Sequence, residues 1–141
     1  MKNAHYYLEC CLTLAKQAAE KGNSPVGAVI VKDDEIISEG EEAVKTKNDI
    51  SCHAEMEAIR QAVKNLNTND LSACILYTTH EPCVMCSYAI RFYKISEVIY
   101  LHQSKYLGGV SSSMPLLITT EVPPAWSKAP VIKHAREEYS I

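Results

Sequence analysis

Two short segments of the chain, Cys52-His53-Ala54-Glu55 and His80-Glu81-Pro82-Cys83-Val84-Met85-Cys86, limit what it can fold into more than any other feature. Cys83 and Cys86 stand at i and i+3, so on a helix they share one face. Pro82 lacks a backbone N–H and has a fixed φ, which suits the first turn of a helix. The thiols then lie at a helix N-terminus, whose partial positive charge favours thiolates. With one distant histidine, His53, they make three ligands for zinc. A zinc ion that does chemistry is held by three protein ligands and keeps its fourth position for water. Glu55 follows His53 closely enough to carry that water's proton. Residues at i and i+2 do not share a face of a regular helix. His53 and Glu55 therefore reach one water only if the first turn of their helix itself lines the site. The fold has to bring two helix starts together from separate parts of the chain.

Cys-x-x-Cys alone also serves as a redox pair or as half of a structural zinc site. A structural site needs a fourth ligand, and the other histidines and cysteines do not repeat the Cys-x-x-Cys spacing. Catalytic zinc, one ion per chain, uses every residue of the pattern; structural zinc and redox chemistry stand beside it as the bland alternatives.

The 141 residues suit one domain, 1–141, and a composition of 47% hydrophobic and 22% charged residues supports a real core. No apolar run approaches the roughly 20 residues of a membrane span. The first residues, Met1 to Tyr7, lack the charged-then-apolar pattern of a signal peptide. Six cysteines without that pattern point to a reducing compartment, the cytoplasm, with Cys10, Cys11, Cys52 and Cys74 as buried thiols. A net charge of −3 gives no general affinity for nucleic acid, since phosphate contacts need clustered Lys and Arg.

Taken in order, residues 4–21 read as an amphipathic helix ended by Gly22-Asn23. Residues 26–31 and 35–40 read as a hairpin turning at Asp33-Asp34. The small pair Gly27-Ala28 implies close approach of another element, either a packed helix or a substrate. Residues 41–51 read as a loop, with Asp49 and Ser51 as candidate caps for a helix over 53–65. A strand over 74–78 delivers the chain to Pro82, a helix runs from 83 to about 93, and a strand follows over 98–101. Strand, helix and strand in succession imply a crossover and a parallel pair. Met114–Ile118 reads as a short helix, and Val131-Ile132 as a short strand.

This order resembles the cytidine deaminase-like superfamily over roughly residues 4–118, and His-x-Glu with Pro-Cys-x-x-Cys is the signature of the zinc deaminases. Pro25-Val26-Gly27-Ala28-Val29, His53-Ala54-Glu55, Ala58-Ile59-Arg60 and Glu81-Pro82-Cys83-Val84-Met85-Cys86 are similar to one branch. That branch holds bacterial tRNA adenosine deaminases, bacterial guanine deaminases and yeast-type cytosine deaminases. The resemblance implies a three-layer α/β/α domain with a mixed five-stranded sheet, a homodimer, and a core at 4–118 with a tail, 119–141, that covers the site.

The departures from that branch are specific. Its tRNA and guanine enzymes hold the base with an asparagine eleven residues before the zinc histidine; that position here is Glu42. An amide donates and accepts, whereas a carboxylate only accepts. Pointing inward, Glu42 favours a substrate that offers N–H groups; the other reading is a solvated charge among Glu39, Glu41 and Glu42. His80 stands where relatives carry an apolar residue, and touches substrate or faces solvent. Gln103 to Gly108 replaces the relatives' Asp-Pro-Lys-x-Gly segment. The basic, aromatic C-terminal helix of the tRNA enzymes is missing, leaving Trp126 or Tyr139 to close over a base or simply to pack.

The expected activity is hydrolytic deamination: zinc on His53, Cys83 and Cys86 makes water nucleophilic near neutral pH, and Glu55 moves its proton to a ring nitrogen and then to the leaving amino group. By resemblance, the backbone N–H of Ala54 holds the ring. The expected substrate is a small free base of guanine, cytosine, isocytosine or aminotriazine type. Wobble-adenosine deamination in tRNA is the alternative, and a non-catalytic zinc-binding partner subunit is the alternative of another class, disfavoured by the intact Glu55.

Overall fold

The computed structural model describes residues 2–126 and 128–135. Helix α1 spans Ala4–Glu20 and buries Tyr7, Leu8, Cys11, Leu14, Ala15 and Ala18, a stripe at helical spacing. Asn3 caps it, its side-chain oxygen accepting from Tyr6 N at 3.1 Å. Strands β1 (Gly27–Lys32) and β2 (Glu35–Glu41) form an antiparallel hairpin. Asp33 and Asp34 both have left-handed φ, 51° and 64°, the pattern of a two-residue turn that matches strand twist.

The short helix α2 (Val44–Lys47) leads to α3 (Ala54–Leu66), β3 (Ile75–His80), α4 (Val84–Phe92), β4 (Glu97–His102) and finally β5 (Val131–His134). The sheet order is β2-β1-β3-β4-β5. β1 pairs antiparallel with β2 and β3, while β3–β4 and β4–β5 are parallel, so the sheet is mixed and five-stranded.

Side-chain alternation along the strands separates two cores. On one face Val29, Val31, Tyr77, Ile99 and Leu101 pack against α1. On the other, Ala28, Ile30, Leu76 and Val98 pack against Ala58, Ile59 and Ala62 of α3 and Ala89 and Ile90 of α4. The result is the expected three layers. Close approach does the rest. A Cβ on Gly27 would lie 2.2 Å from Cys11 O, and one on Gly40 would lie 2.1 Å from Ala54 O. Gly27 thus serves packing against α1, its neighbour Ala28 packs on the α3 and α4 side, and Gly40 lets the first turn of α3 press onto β2.

The structure corrects four local expectations. The 41–51 stretch is not all loop, because Val44–Lys47 make one helical turn, stopped by Asn48 at φ 50°. Asp49 and Ser51 do not cap α3: Asp49 Oδ1 accepts from Ser51 N and Oγ in its own turn, and His53 is the N-cap. Pro82 lies just before α4, with Cys83 as its N-cap. Residues 114–118 form turns rather than a helix, because Leu117 N donates out of the segment to Gly109 O and the Leu116 and Thr119 carbonyls are taken by Arg91.

Candidate metal and catalytic site

α3 and α4 lie on the same face of the sheet and bring their N-termini together, which places His53 and Cys83, the two N-cap residues, side by side. His53 Nδ1 is 3.5 Å from Cys83 Sγ and 3.6 Å from Cys86 Sγ. A tetrahedral zinc with Zn–S of about 2.3 Å and Zn–N of about 2.0 Å sets sulfur and nitrogen about 3.5 Å apart. The three side chains are therefore spaced as ligands of one ion. They form the candidate metal site of the described residues, their ligand atoms all within 4.8 Å of one another.

The thiols differ in character. The hydrogen bond from Cys86 pulls Cys83 down to about 4, against burial and with help from His53. Cys86 keeps the proton and is pushed far up by that same bond and by burial. His53 is raised, chiefly by its bond to Cys83. A proton-sharing trio of this kind gives up its protons to a metal, as thiolate and imidazole ligation requires.

Glu55, in the first turn of α3, is 4% exposed and aims at the same point, Oε1 lying 3.9 Å from Cys86 Sγ. Thr78 Oγ1 donates to Glu55 Oε2 at 3.2 Å and holds the carboxyl from β3. Burial pushes Glu55 up to about 7, against its backbone hydrogen bond and the Thr78 donor. A carboxyl with that environment can both take and release a proton near neutral pH. The i, i+2 difficulty is resolved by the cap: the helix starts at Ala54 rather than at His53, so the His53 side chain reaches the site from outside the helical turn that carries Glu55.

The remaining candidates divide. Ala54 is the first residue of α3 and fully buried, so its N–H has no partner within the helix and stands at the site's edge. Glu42 is 7% exposed rather than solvated. Its Oε2 accepts from Val44 N at 3.0 Å, and its charge is close enough to His53 to help raise it. His80, at the end of β3, is half-buried, with Nδ1 2.9 Å from Thr79 Oγ1 and its ring 5.1 Å from that of His102. Burial, then His102, lowers its pKa. Trp126 does not close over the metal site: it packs edge-on against Tyr88 and Phe92 of α4, at 4.8 and 6.4 Å. Tyr139 lies outside the described residues.

Sequence reasoning missed two contributors. Thr78 carries no local signal, since only sheet pairing sets it beside Glu55. Glu81 was in plain view within the motif. It is 2% exposed, and its carboxylate accepts from Val110 N, Ser111 N and Oγ, and Ser104 N at 2.7–3.2 Å. Burial works against the charge, but these donors win and hold the carboxyl below its usual range. Glu81 thereby ties the 104–111 loop to the turn that carries Cys83.

Comparison with known proteins agrees with this geometry. The cytidine and deoxycytidylate deaminase zinc-binding region matches residues 1–102. A tRNA-specific adenosine deaminase of Aquifex aeolicus is 48% identical over 112 residues, 79% of this chain and 74% of the relative. A guanine deaminase of Bacillus subtilis is 46% identical over 99 residues, 70% of this chain and 64% of the relative. Among solved structures, one from studies of A-to-I editing by tRNA:A34 deaminases superposes with a TM-score of 0.83 at 32% identity, covering 92% of this chain and 97% of that one. The Bacillus subtilis guanine deaminase gives 0.70 at 45% identity, covering 72% and 66%. His53, Cys83 and Cys86 on the starts of two neighbouring helices, in this fold and with these relatives, place the chain in the cytidine and deoxycytidylate deaminase zinc-binding family, as a hydrolytic C–N deaminase.

Proposed function

We propose that the protein deaminates a small free heterocyclic base of guanine, cytosine, isocytosine or aminotriazine type. The observation that carries this is Glu42, a carboxylate only 7% exposed whose Oε2 accepts from Val44 N and whose charge acts on His53. A carboxylate only accepts hydrogen bonds, so in this place it favours a ligand that brings N–H groups, as the amidine or guanidine edge of such a base does. His80, at the end of β3, is the second candidate contact.

In this reading His53, Cys83 and Cys86 hold the zinc, which when bound supplies the Lewis acidity that brings the pKa of a water near 7. The chain does the rest. The Ala54 N–H and Glu42 orient the ring. Glu55 takes the attacking water's proton and passes it to a ring nitrogen, making the adjacent carbon electrophilic. It then relays a proton to the amino group as the C–N bond breaks. The water oxygen becomes the carbonyl oxygen, ammonia leaves, and Glu55 ends unchanged.

A second reading, wobble-adenosine deamination in tRNA, is supported by the likeness to the tRNA:A34 deaminase structure along nearly its whole length. Ammonia release from a panel of free bases, nucleosides, pterins and triazines tests both, with zinc-loaded protein and Glu55→Ala as control. Release from one free base, lost in the control, is the expected result. Silence on the panel with tight, salt-sensitive tRNA binding would replace it with the tRNA reading. We also infer a cytoplasmic homodimer. Tyr88, Phe92, Leu107 and Met114, all exposed on or beside α4, together with the Trp126 ring, supply an apolar face for the second copy.

A further inference from the structure

In the stretch Ala58-Ile59-Arg60 of α3, Ala58 and Ile59 pack in the core, but no step of the deamination uses Arg60. Its side chain is 46% exposed and still bonded on two sides. Nη1 donates to Glu57 Oε1 on the same helix at 2.7 Å, and Nη2 donates to Ser51 Oγ at 2.7 Å. The Cys52 thiol, buried at 4% exposure, lies 3.9 Å from Nη1. Glu57 is itself fixed. Its Oε2 accepts from Lys47 of α2, and its N–H donates to His53 O at 2.9 Å.

These bonds converge on the turn that delivers His53. Asp49 closes the turn from within, its Oδ1 accepting from Ser51 N and Oγ at 2.8 and 2.7 Å, and its carbonyl from Cys52 N at 3.1 Å. Cys52 O accepts from Ala43 N at 3.0 Å, which links the turn to the stretch after Glu42. Among the described residues, Arg60 is the one side chain of α3 that bonds to residues 49–52. His53 is the N-cap, with extended rather than helical backbone, so the turn behind it sets where its ring points. An exposed ion pair taken singly contributes little to stability. The guanidinium fork differs from such a pair, because its donors have a fixed relation and span helix and turn at once.

We propose that Arg60 is a positioning residue for the metal: it holds the 49–52 turn against α3, so that His53 Nδ1 stays 3.5 and 3.6 Å from the Cys83 and Cys86 sulfurs. Arg60 touches neither ion nor substrate, and its role is the same whichever amine is deaminated. The sign of its effect separates positioning from plain electrostatics. Removing a cation favours a bound Zn²⁺ by Coulomb's law. Loosening the turn spreads His53 over positions that do not ligate, and weakens the ion.

The test is a chelator-competition titration of zinc on the full chain, with the Tm of each metal-free variant as the check on folding. Arg60→Met keeps the stem and loses the donors. It should weaken zinc about five-fold, short of the roughly ten-fold or more that loss of a partner bonded directly to a ligand costs. Arg60→Lys cannot hold Glu57 and Ser51 together and should recover only part. Ser51→Ala breaks the link from its other end and should weaken zinc by a similar factor. The double variant should lose no more than the larger single loss. Lys21→Met removes another exposed cation paired with a carboxylate, that of Glu41, and should not weaken zinc. Zinc bound as tightly or more tightly by Arg60→Met, with a lowered Tm, would reduce Arg60 to a surface ion pair. Losses that add in the double variant would mean that the two side chains act separately, which overturns the clamp. Equal weakening in Lys21→Met would show a general effect of surface charge and would also sink the proposal.

Discussion

Glu55 and Glu81 show how a buried carboxyl takes its character from its donors. Glu55 has two side-chain donors, the Thr78 hydroxyl and the more distant Cys86 thiol, and burial raises it; Glu81 accepts four hydrogen bonds and stays ionised. The first suits proton transfer, the second loop anchoring. Glu55→Ala should keep zinc, measured by metal content, and lose at least about a hundred-fold in turnover, the usual scale for a proton-transfer group. Glu81→Gln should fail differently. It sets an amide N–H₂ among N–H donors, and should cost about 2–3 kcal/mol in urea unfolding at pH 7. The sign of its pH dependence follows from the lowered carboxyl. Its stabilisation is present above the ordinary value of 4.5 and is lost as pH falls through the folded value. The gap between wild type and Glu81→Gln should therefore close in acid; a gap independent of pH would show that the charge is not what matters.

At the scale of elements, the site depends on how closely α3 sits on the hairpin. Backbone atoms of Ala54 and Ala58 lie where a Cβ at Gly40 would go, at 2.1 and 2.7 Å. Neither can move without shifting the helix. Gly40→Ala should therefore displace the very turn that carries His53 and Glu55. We expect a loss of about 1–3 kcal/mol in stability and, more tellingly, zinc affinity weakened about ten-fold in a competition titration. Unchanged zinc affinity with lowered stability would mean that the helix adjusts without disturbing its first turn. α4 is the counterpart: its N-terminal end carries the two thiols, while Arg91 near its other end holds the 116–119 carbonyls in place of the helix read from the apolar run there.

For the molecule as a whole, two cores on either side of one sheet do not involve the metal ligands. Removal of zinc by a chelator should abolish activity yet leave the far-ultraviolet circular dichroism nearly unchanged, with a lower Tm as bound-ligand stabilisation is lost. Collapse of the spectrum would instead make the ion part of the folding core, as in small zinc modules. Tyr88→Glu or Phe92→Glu should shift the protein towards monomer in light scattering if the α4 face joins two copies. No change would move the interface elsewhere.

What the amino-acid order determined by itself was whatever short-range periodicity and spacing encode. The helices α1, α3 and α4, the Asp33-Asp34 hairpin and the parallel β3–β4 crossover were legible because each is a repeat of 3.6 or 2 residues or a local turn. The trio His53, Cys83 and Cys86 was legible because ligand chemistry admits few residue types at few spacings. What the tertiary structure decided were the relations between segments. It buried Glu42 instead of leaving it among solvated neighbours, set Thr78 against Glu55, sent Trp126 against Tyr88 and Phe92 of α4 and left Arg91 without an acid among the described residues. Burial and hydrogen bonding of these side chains depend on which element arrives opposite, and no local pattern records that.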